Sequence, residues 1–432
     1  MTQEILINAT YGLSDQRRYV KLPFDVPEGI ERIEVEYSYP RFVEEPRPDG
    51  VARIEANIVD LGLFDERGLQ RGWTGSERRS VFVSESAATP GYRSGPIRAG
   101  RWAVGLGLYV IRNTVRVELT IRLVRRERVL LAGDLHMHTH HSDGAYRTAD
   151  VLEYSRRAAL DFVALTDHNN SVQNEEIGLP DGLVVIPSME YTNYRGHANF
   201  FFMGEARGLA QDLFSNSFDE MRAVFESAKA AGAVISLNHP MCDNCPWLFG
   251  FEGFPYDMVE VWNGLMKPSD IRAVAWWHSR LSAGARLPAV GGSDVHRHEL
   301  ARTYGTPTTF VYAESHLAQA IMDALLAGRS FISQTRNGPQ VELRIGEAGL
   351  GETAVYAPGL EGEVTVRGAR KGDIVKVLDG AGGAISMDVR FGGTFTGRFA
   401  AAPARFHRVE LWREMYAGIS MLFALCNPVY VS

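Results

Sequence analysis

The segment "GDLHMHTHHSDG", residues 133–144, holds four of the chain's twelve histidines within six positions, with Asp134 and Asp143 near its ends. Imidazole and carboxylate are the ordinary ligands of Zn²⁺, Mn²⁺ and Fe²⁺, and one carboxylate can bridge two ions. His136 and His138 alternate with Met137, so on an extended strand both rings point the same way and can chelate one ion. Further groups of this kind follow at intervals: Asp167 and His168 in "ALTDHN", Glu190 in "VVIPSME", His239 in "AVISLNHP", Asp294 and His296 in "LPAVGGSDVH". A single histidine of this sort is an ordinary surface or core residue. Five strands that each end in His, Asp or Glu are expected to form a metal site, because so many convergent ionisable groups are costly to desolvate without a cation.

The elements that must position them read as alternating strands and helices across residues 129–334. "RVLLAGDLH", "FVALT", "LVVIPSME", "HANFFFMG", "AVISLN", "DMVEVWN", "LPAVGGS", "TTFVYAE" and "SFISQ" are predicted strands. Amphipathic helices are predicted in "TADVLEYSRRAALD", with Thr148 as N-cap, and in "FDEMRAVFESAKAAG", "SDIRAVAWWHSRLSAG" and "SHLAQAIMDALLAG". Repeated strand–helix units imply a parallel sheet, open or closed, whose strand ends share one face. Residues 1–128 show strand-like alternation in "RIEVEYSY" and "TVRVELTIRLV", broken by turns, and suggest a β-sandwich or jelly roll. Residues 335–432 return to short β-runs and are expected to form a small C-terminal β domain.

At 432 residues, two or three domains are expected, and the composition is that of a globular protein. A net charge of −7 argues against a nucleic-acid backbone as partner, though not against a small phosphate beside a metal. No stretch reaches the roughly 18–20 apolar residues of a membrane span, and the start of the chain lacks the pattern of a leader. Three cysteines make no disulfide framework, so a cytoplasmic home is expected.

"DLHMHTHHSDG", "ALTDHN", the post-strand Glu190, "NHP" and "GGSDVH" together resemble the successive motifs of the polymerase and histidinol phosphatase (PHP) superfamily, over about residues 130–300. "GHAN" and the β-rich ending resemble its carbaryl-hydrolase-like (CehA/McbA-type) branch. The resemblance implies a distorted (β/α)7 barrel with two or three divalent ions, zinc, manganese or iron, at the carboxyl rim. It implies that His136, His138, Glu190 and Asp294 surround one ion. Glu190 would bridge to a second, held also by His197 and His239, while Asp143, His168 and His296 would form a third site. Asp143 stands where some members have histidine. Glu190, Asp294 and His168 are the residues expected to act in catalysis.

Divalent ions of this kind lower the pKa of a bound water and polarise an ester oxygen, so no serine or cysteine nucleophile is needed. Neither a G-x-S-x-G elbow nor a Walker A loop occurs. Hydrolysis of a small phosphate ester is the expected reaction, with Arg302, Arg195 and Arg297 as candidate phosphate-binding cations. Carboxylic or carbamic ester hydrolysis is the alternative, with an aromatic wall drawn from "CPWLFGFEGFPY". A metal-stabilised or carbohydrate-binding scaffold is a third. Asp167 could orient His168 or cap a helix. His140 and His141 read as solvated loop residues and His278 as structural. Cys242 and Cys245, in "HPMCDNCPW", resemble half of a zinc site and otherwise read as loop residues near the pocket.

Overall fold

A computed structural model of the chain describes residues 2–85, 87–125, 128–178, 182–202, 208–209, 212–299, 302–416 and 418–432. It divides into two compact units, residues 1–128 and 129–432.

The first unit holds a two-stranded antiparallel sheet, Phe42–Arg47 with Gly50–Glu55, and two four-stranded ones. One runs in the order Thr2–Tyr11, Val115–Arg125, Ile30–Ser38, Ser80–Ser84, the other Arg18–Val26, Gly100–Ile111, Asn57–Phe64, Gln70–Thr74. Their alternating apolar faces, Ile33, Val35 and Ile121 from one and Leu61, Val104 and Leu106 from the other, share one buried core.

The second unit carries the histidines. Its strands are β1 (Val129–Asp134), β2 (Phe162–Leu165), β3 (Val184–Asn193), β4 (Gly196–Phe202), β5 (Ala233–Leu237), β6 (Met258–Asn263), β7 (Ala289–Gly292), β8 (Thr308–Ala313) and β9 (Ser330–Ser333). Helices α1 (Thr148–Arg157), α2 (Phe218–Ala230), α3 (Pro268–Ser282) and α4 (Ala318–Leu326) connect some of them. The hydrogen-bonded order is β7-β6-β5-β4-β3-β2-β1-β8-β9. Strands β2, β5, β6 and β7 are buried along their whole length, which accounts for their unbroken apolar runs.

The sheet is mixed rather than parallel. β1, β2 and β3 are parallel, as are β5, β6 and β7, but β4 is antiparallel to both its neighbours, and β8 and β9 are antiparallel. The reason is local: only Tyr194 and Arg195 separate β3 from β4, and a two-residue link permits only a hairpin. β2 and β3 are joined through a 3₁₀ turn, Val172–Glu176, in place of a helix. Thr148 is the first helical residue of α1, not its cap. Arg147 takes the cap position, without a side-chain cap bond, and pairs with Asp150 at 2.9 Å.

The β7 edge curls back onto β8, where Gly291 N donates to Thr309 Oγ1 and Thr309 Oγ1 donates to Gly291 O. Beyond the strand ends the loops after β1 and β7 bond to each other: Asp294 N donates to His136 O at 2.7 Å, and His138 N to Val295 O at 3.0 Å. The ends of β1, β2, β3, β5, β6 and β7 and the start of β4 thereby meet at one rim. The sheet continues past residue 334, because β9 pairs with Ile419–Cys426, which pairs with Phe406–Tyr416. Phe310 and Phe331 share a core with Val341, Val364 and Val409 across that position. Among the described residues no helix is long and apolar enough to cross a membrane.

Candidate metal centre

Glu190 is the hub of the rim. Its Oε1 lies 3.3 Å from His136 Nε2, 3.2 Å from His197 Nδ1 and 3.7 Å from His239 Nε2. Its Oε2 lies 2.8 Å from His168 Nδ1 and 3.7 Å from His138 Nε2. Asp294 Oδ1 completes the inner layer, 3.4 Å from His136 Nε2 and 3.1 Å from His138 Nε2. On the outer side Asp143 Oδ1 stands 3.4 Å from His168 Nε2 and 3.1 Å from His296 Nε2. The nine residues expected from the sequence to bind metal thus lie together, His197 included, because the β3–β4 hairpin returns it to the rim opposite Thr192.

Side-chain exposure rises across the site, from 1% at His136 and Glu190 through 17% at Asp294 and 25% at His168 to 59% at Asp143. The site therefore opens on the Asp143 side.

Several groups that orient this set were not singled out from the sequence. Glu260, buried on β6, accepts from His136 Nδ1 at 3.1 Å through Oε1, and from His239 N and Asn263 Nδ2 through Oε2. A carboxylate behind a histidine fixes the tautomer, so Nε2 of His136 presents its lone pair to the site. That Nε2 is buried and has no hydrogen-bond partner, and the same holds for His138 Nδ1. His296 Nδ1 donates to its neighbour's carbonyl, Asp294 O, at 3.0 Å, which leaves Nε2 facing Asp143. Asn238 donates to Glu190 Oε1 at 2.8 Å and to Asn199, which in turn donates to Leu135 O. The signal for Glu260 was an acid inside an otherwise apolar run, "DMVEVWN". For the asparagines it was their place in "GHAN" and "LNHP".

The loops are pinned by two buried aspartates. Asp134 accepts from Ser293 N at 2.9 Å and Gly305 N at 2.8 Å, tying β1 to the loops after β7, and burial raises its pKa to about 6. Asp167 neither orients His168 nor caps a helix. It accepts from Thr139 N, Thr139 Oγ1 and Ser142 Oγ at 2.6–2.8 Å, which holds the segment carrying Asp143. Gly292 is required by close approach: a Cβ there would collide with His136 Cβ and lie 2.8 Å from Glu260 Oε1. His239 and Asp294 both adopt left-handed backbone, φ 30° and 51°, a conformation that costs of order 1–3 kcal/mol and that clusters at functional sites.

Of the three arginines, only Arg302 reaches the inner layer. Its Nη1 donates to Asp294 O at 3.1 Å and lies 3.9 Å from Asp294 Oδ2. Arg195 is exposed in the hairpin turn, over the Phe249 ring and near Asn216 O, and Arg297 is exposed beside Glu299. Within "CPWLFGFEGFPY", Phe249 and Phe251 are half-buried, whereas Trp247 and Phe254 do not form an apolar pocket wall. Both are buried against Phe225 in the core, and Trp247 fills the space a Cβ on Gly196 would need, next to His197. His141 pairs with Glu176 at 3.0 Å, and His140 is exposed. Cys245 Sγ lies 3.6 Å from His239 Nδ1 and donates to Cys242 Sγ at 3.0 Å; sharing that proton holds the Cys242 thiol down to about 5 and the Cys245 thiol up.

Burial and mutual charge oppose each other across the site. Burial disfavours every charged form here, yet at His136 the carboxylates of Glu260, Glu190 and Asp294 outweigh it and hold the imidazolium well above its ordinary range. His239 is raised in the same way, mainly by Glu190, whereas burial prevails at His138 and lowers it. Glu190 and Asp294 are held well below the carboxylate range, His136 being the strongest counter to their burial. Buried anionic oxygens and unpartnered imidazole nitrogens in one place suit divalent cations. Among the described residues four sets have ligand atoms within 4.8 Å of one another: His136, His138 and Asp294; His138, Asp143, His168 and His296; His136, His239 and Glu260; and His197, His239 and Cys245.

No family model matches the chain, and no curated protein matches it. Among solved structures, a two-domain protein from Bacteroides vulgatus containing a predicted PHP-like metal-dependent phosphoesterase overlays 69% of this chain and 95% of its own, at 18% identity and a TM-score of 0.40. A protein from Bifidobacterium adolescentis assigned as a metal-dependent phosphoesterase covers 40% of this chain and 90% of its own, at 17% identity and a TM-score of 0.29. An amidohydrolase from Chromobacterium violaceum, with bound sulfate and no metal, covers 40% and 89%, at 17% identity and 0.29. Overlaps this loose carry no argument about reaction or substrate. The functional reading rests on the site.

Proposed function

We propose that the chain is a metal-dependent hydrolase of the PHP superfamily, acting on a small phosphate ester. The observation that supports it most is Glu190, one buried carboxylate within 3.7 Å of five imidazoles drawn from four separate segments. His136, His138, Glu190 and Asp294 would hold one ion, and His197 and His239 a second shared through Glu190. Asp143, His168 and His296 would hold a third at the open side. Divalent ions in such a set supply Lewis acidity toward an ester oxygen and lower the pKa of water.

The chain's own groups divide the remaining work. Asp294 lies between the buried layer and the open side and is the carboxylate placed to take a proton from an attacking water. His168 is held by its Nδ1 contact to Glu190, so its Nε2 faces Asp143 at the open side, where it would hold the third ion beside the substrate. Arg302, anchored on Asp294 O and about one-third exposed, directs its remaining N–H groups to phosphate oxygens. The carbaryl-hydrolase-like alternative draws its apolar wall from "CPWLFGFEGFPY", in which Trp247 and Phe254 are buried in the core while Leu248, Phe249 and Phe251 stay partly exposed, so the substrate assay decides between the two.

The test is turnover by protein reconstituted with Mn²⁺ or Zn²⁺, assayed in parallel on p-nitrophenyl phosphate, p-nitrophenyl acetate and naphthyl carbamates. Phosphate ester hydrolysis is expected. Turnover of the carboxyl or carbamate esters alone would overturn the substrate class, and inertness at full metal loading would favour a scaffold. Glu190→Gln is expected to lose at least one metal equivalent and nearly all activity, and unchanged metal content by elemental analysis would remove it from the bridge.

A further inference from the structure

We infer that Cys242 and Cys245 form a reversible dithiol–disulfide couple on the loop that follows His239, a modification site through which a hydroperoxide loosens the ion held by that histidine. The couple stands on the placement of the two sulfurs; its effect on the ion rests on the metal-centre reading above. The residues are spaced as Cys-x-x-Cys in "CDNC", shortly after β5, a spacing shared by metal sites and redox couples. Cys245 is not placed to ligate the ion beside Glu190. Its sulfur meets His239 at Nδ1, at 3.6 Å, whereas Nε2 is the nitrogen that faces Glu190 Oε1, at 3.7 Å. The contact between the sulfurs points to the couple instead. Cys245 donates its S–H to Cys242 Sγ at 3.0 Å, and both residues are partly exposed, as attack by a solvent-borne oxidant requires. The turn is held by Cys242 N donating to His239 O at 2.9 Å and Trp247 N to Pro240 O at 3.0 Å. Trp247 is buried against Phe225 and Phe254, and Arg272 bonds Met241 O and Asp243. Cys426 is fully buried among the C-terminal strands, where its sulfur accepts from Val409 N, and takes no part.

The chemistry balances with a hydroperoxide as the oxidant. One thiol attacks it: an S–O bond forms, the O–O bond breaks, and the departing oxygen leaves with the thiol's proton, giving a sulfenic acid. The second thiol then attacks that sulfur. The S–S bond forms, the S–O bond breaks, and water leaves with the second proton. The two sulfurs lose two electrons and the hydroperoxide gains them. A dithiol reductant reverses the change. The link to the ion runs through the imidazole. A neutral His239 that turns Nε2 to the ion carries its proton on Nδ1, and the Cys245 sulfur is the acceptor beside it. Drawing that sulfur into a bond with Cys242 weakens the acceptor and frees the ring to turn. Loss of such a supporting partner lowers metal affinity by about 10- to 100-fold.

The test treats the full chain, wild type and Cys242→Ser, with hydrogen peroxide, blocks free thiols with iodoacetamide and weighs the digested peptides. In wild type the peptide holding Cys242 and Cys245 is expected to be lighter by two hydrogen atoms and to carry no alkyl group. Dithiothreitol should restore both thiols. Zinc affinity, read by chelator competition before and after peroxide, should fall by about tenfold or more in wild type and recover with dithiothreitol. In Cys242→Ser it should stay unchanged. Alkylation of both cysteines after peroxide would overturn the couple. A disulfide that leaves zinc affinity unchanged, or an equal fall in Cys242→Ser, would overturn its link to His239. Protein that forms the disulfide yet takes up no zinc in either state would overturn the metal-centre reading and the link together, leaving the couple itself supported.

Discussion

Replacing Glu260 with glutamine tests whether the centre depends on a fixed histidine tautomer. The carboxylate accepts three hydrogen bonds, from His136 Nδ1 through one oxygen and from His239 N and Asn263 Nδ2 through the other. Glutamine has one carbonyl and one NH₂ group, so it cannot accept on both sides. If its carbonyl serves His239 and Asn263, its NH₂ meets His136 Nδ1, which must then give up its proton. The proton moves to Nε2 and points into the metal site, 3.3 Å from Glu190 Oε1. If the amide turns the other way, two buried donors face an NH₂ group, at about 1–3 kcal/mol for each group left unsatisfied. Glu260 is 2% exposed, so bulk water does not relieve this. Either route should weaken binding at the inner site by about 10- to 100-fold, the usual range when such a supporting carboxylate is lost. Chelator competition followed by elemental analysis reads this directly. Wild-type affinity in a folded Glu260→Gln protein would refute the tautomer argument and, with it, the orientation assigned to His136.

Gly292→Ala should destabilise the metal-free protein by about 1–3 kcal/mol through overpacking against His136 and reduce its metal content, checked by thermal unfolding and elemental analysis. Arg302→Met should raise KM for p-nitrophenyl phosphate more than it lowers kcat, and an unchanged KM would remove it from phosphate binding. His278 accepts from Arg408 Nε at 3.0 Å, and burial, then the neighbouring guanidinium, lower its pKa from the ordinary 6.5. A histidine with a depressed folded pKa contributes stability that is present above about pH 6.5 and is lost as pH falls through the folded value. His278→Asn keeps an acceptor for Arg408 without titrating, so its melting temperature should fall less than that of wild type between pH 7.5 and 5.

What could be read from the sequence follows physical lines. Strands β1, β2, β5 and β7 end in chemistry-bearing residues directly after apolar runs, so both the strand and the fate of its last side chain were visible. Strand direction was less so. "HANFFFMG" looks alike whether parallel or antiparallel, and only the two-residue link at Tyr194–Arg195 decides it. Glu260 was hidden for a related reason: in "MVEVWN" the alternation reads as a half-exposed strand, in which an acid belongs to water. The strand is instead buried on both faces, and the acid survives there because three donors meet it. Asp167 read as a partner of His168 or a helix cap, but its partners, like those of Asp134, are backbone amides and hydroxyls of the loops. No local pattern separates an aspartate that binds a cation from one that pins a turn.

The scaffold reading can be weighed against the geometry. A metal that only stabilises a fold is best enclosed by a complete ligand set, with no position left toward solvent. Here the buried end of the site is tightly specified by Glu260, Asn238 and Gly292, yet the ligand set becomes steadily more exposed toward Asp143, whose side chain is 59% open. The backbone strain follows the same logic, for the left-handed residues include His239 and Asp294 at the rim, where a glycine would have been cheaper for folding alone. Retaining imidazole and carboxylate at strained positions is reasonable if the side chain's role outweighs the backbone cost. A half-open centre with an arginine beside its most accessible inner carboxylate has the form of a site that admits a substrate, and metal-loaded protein that excludes inorganic phosphate entirely would contradict it.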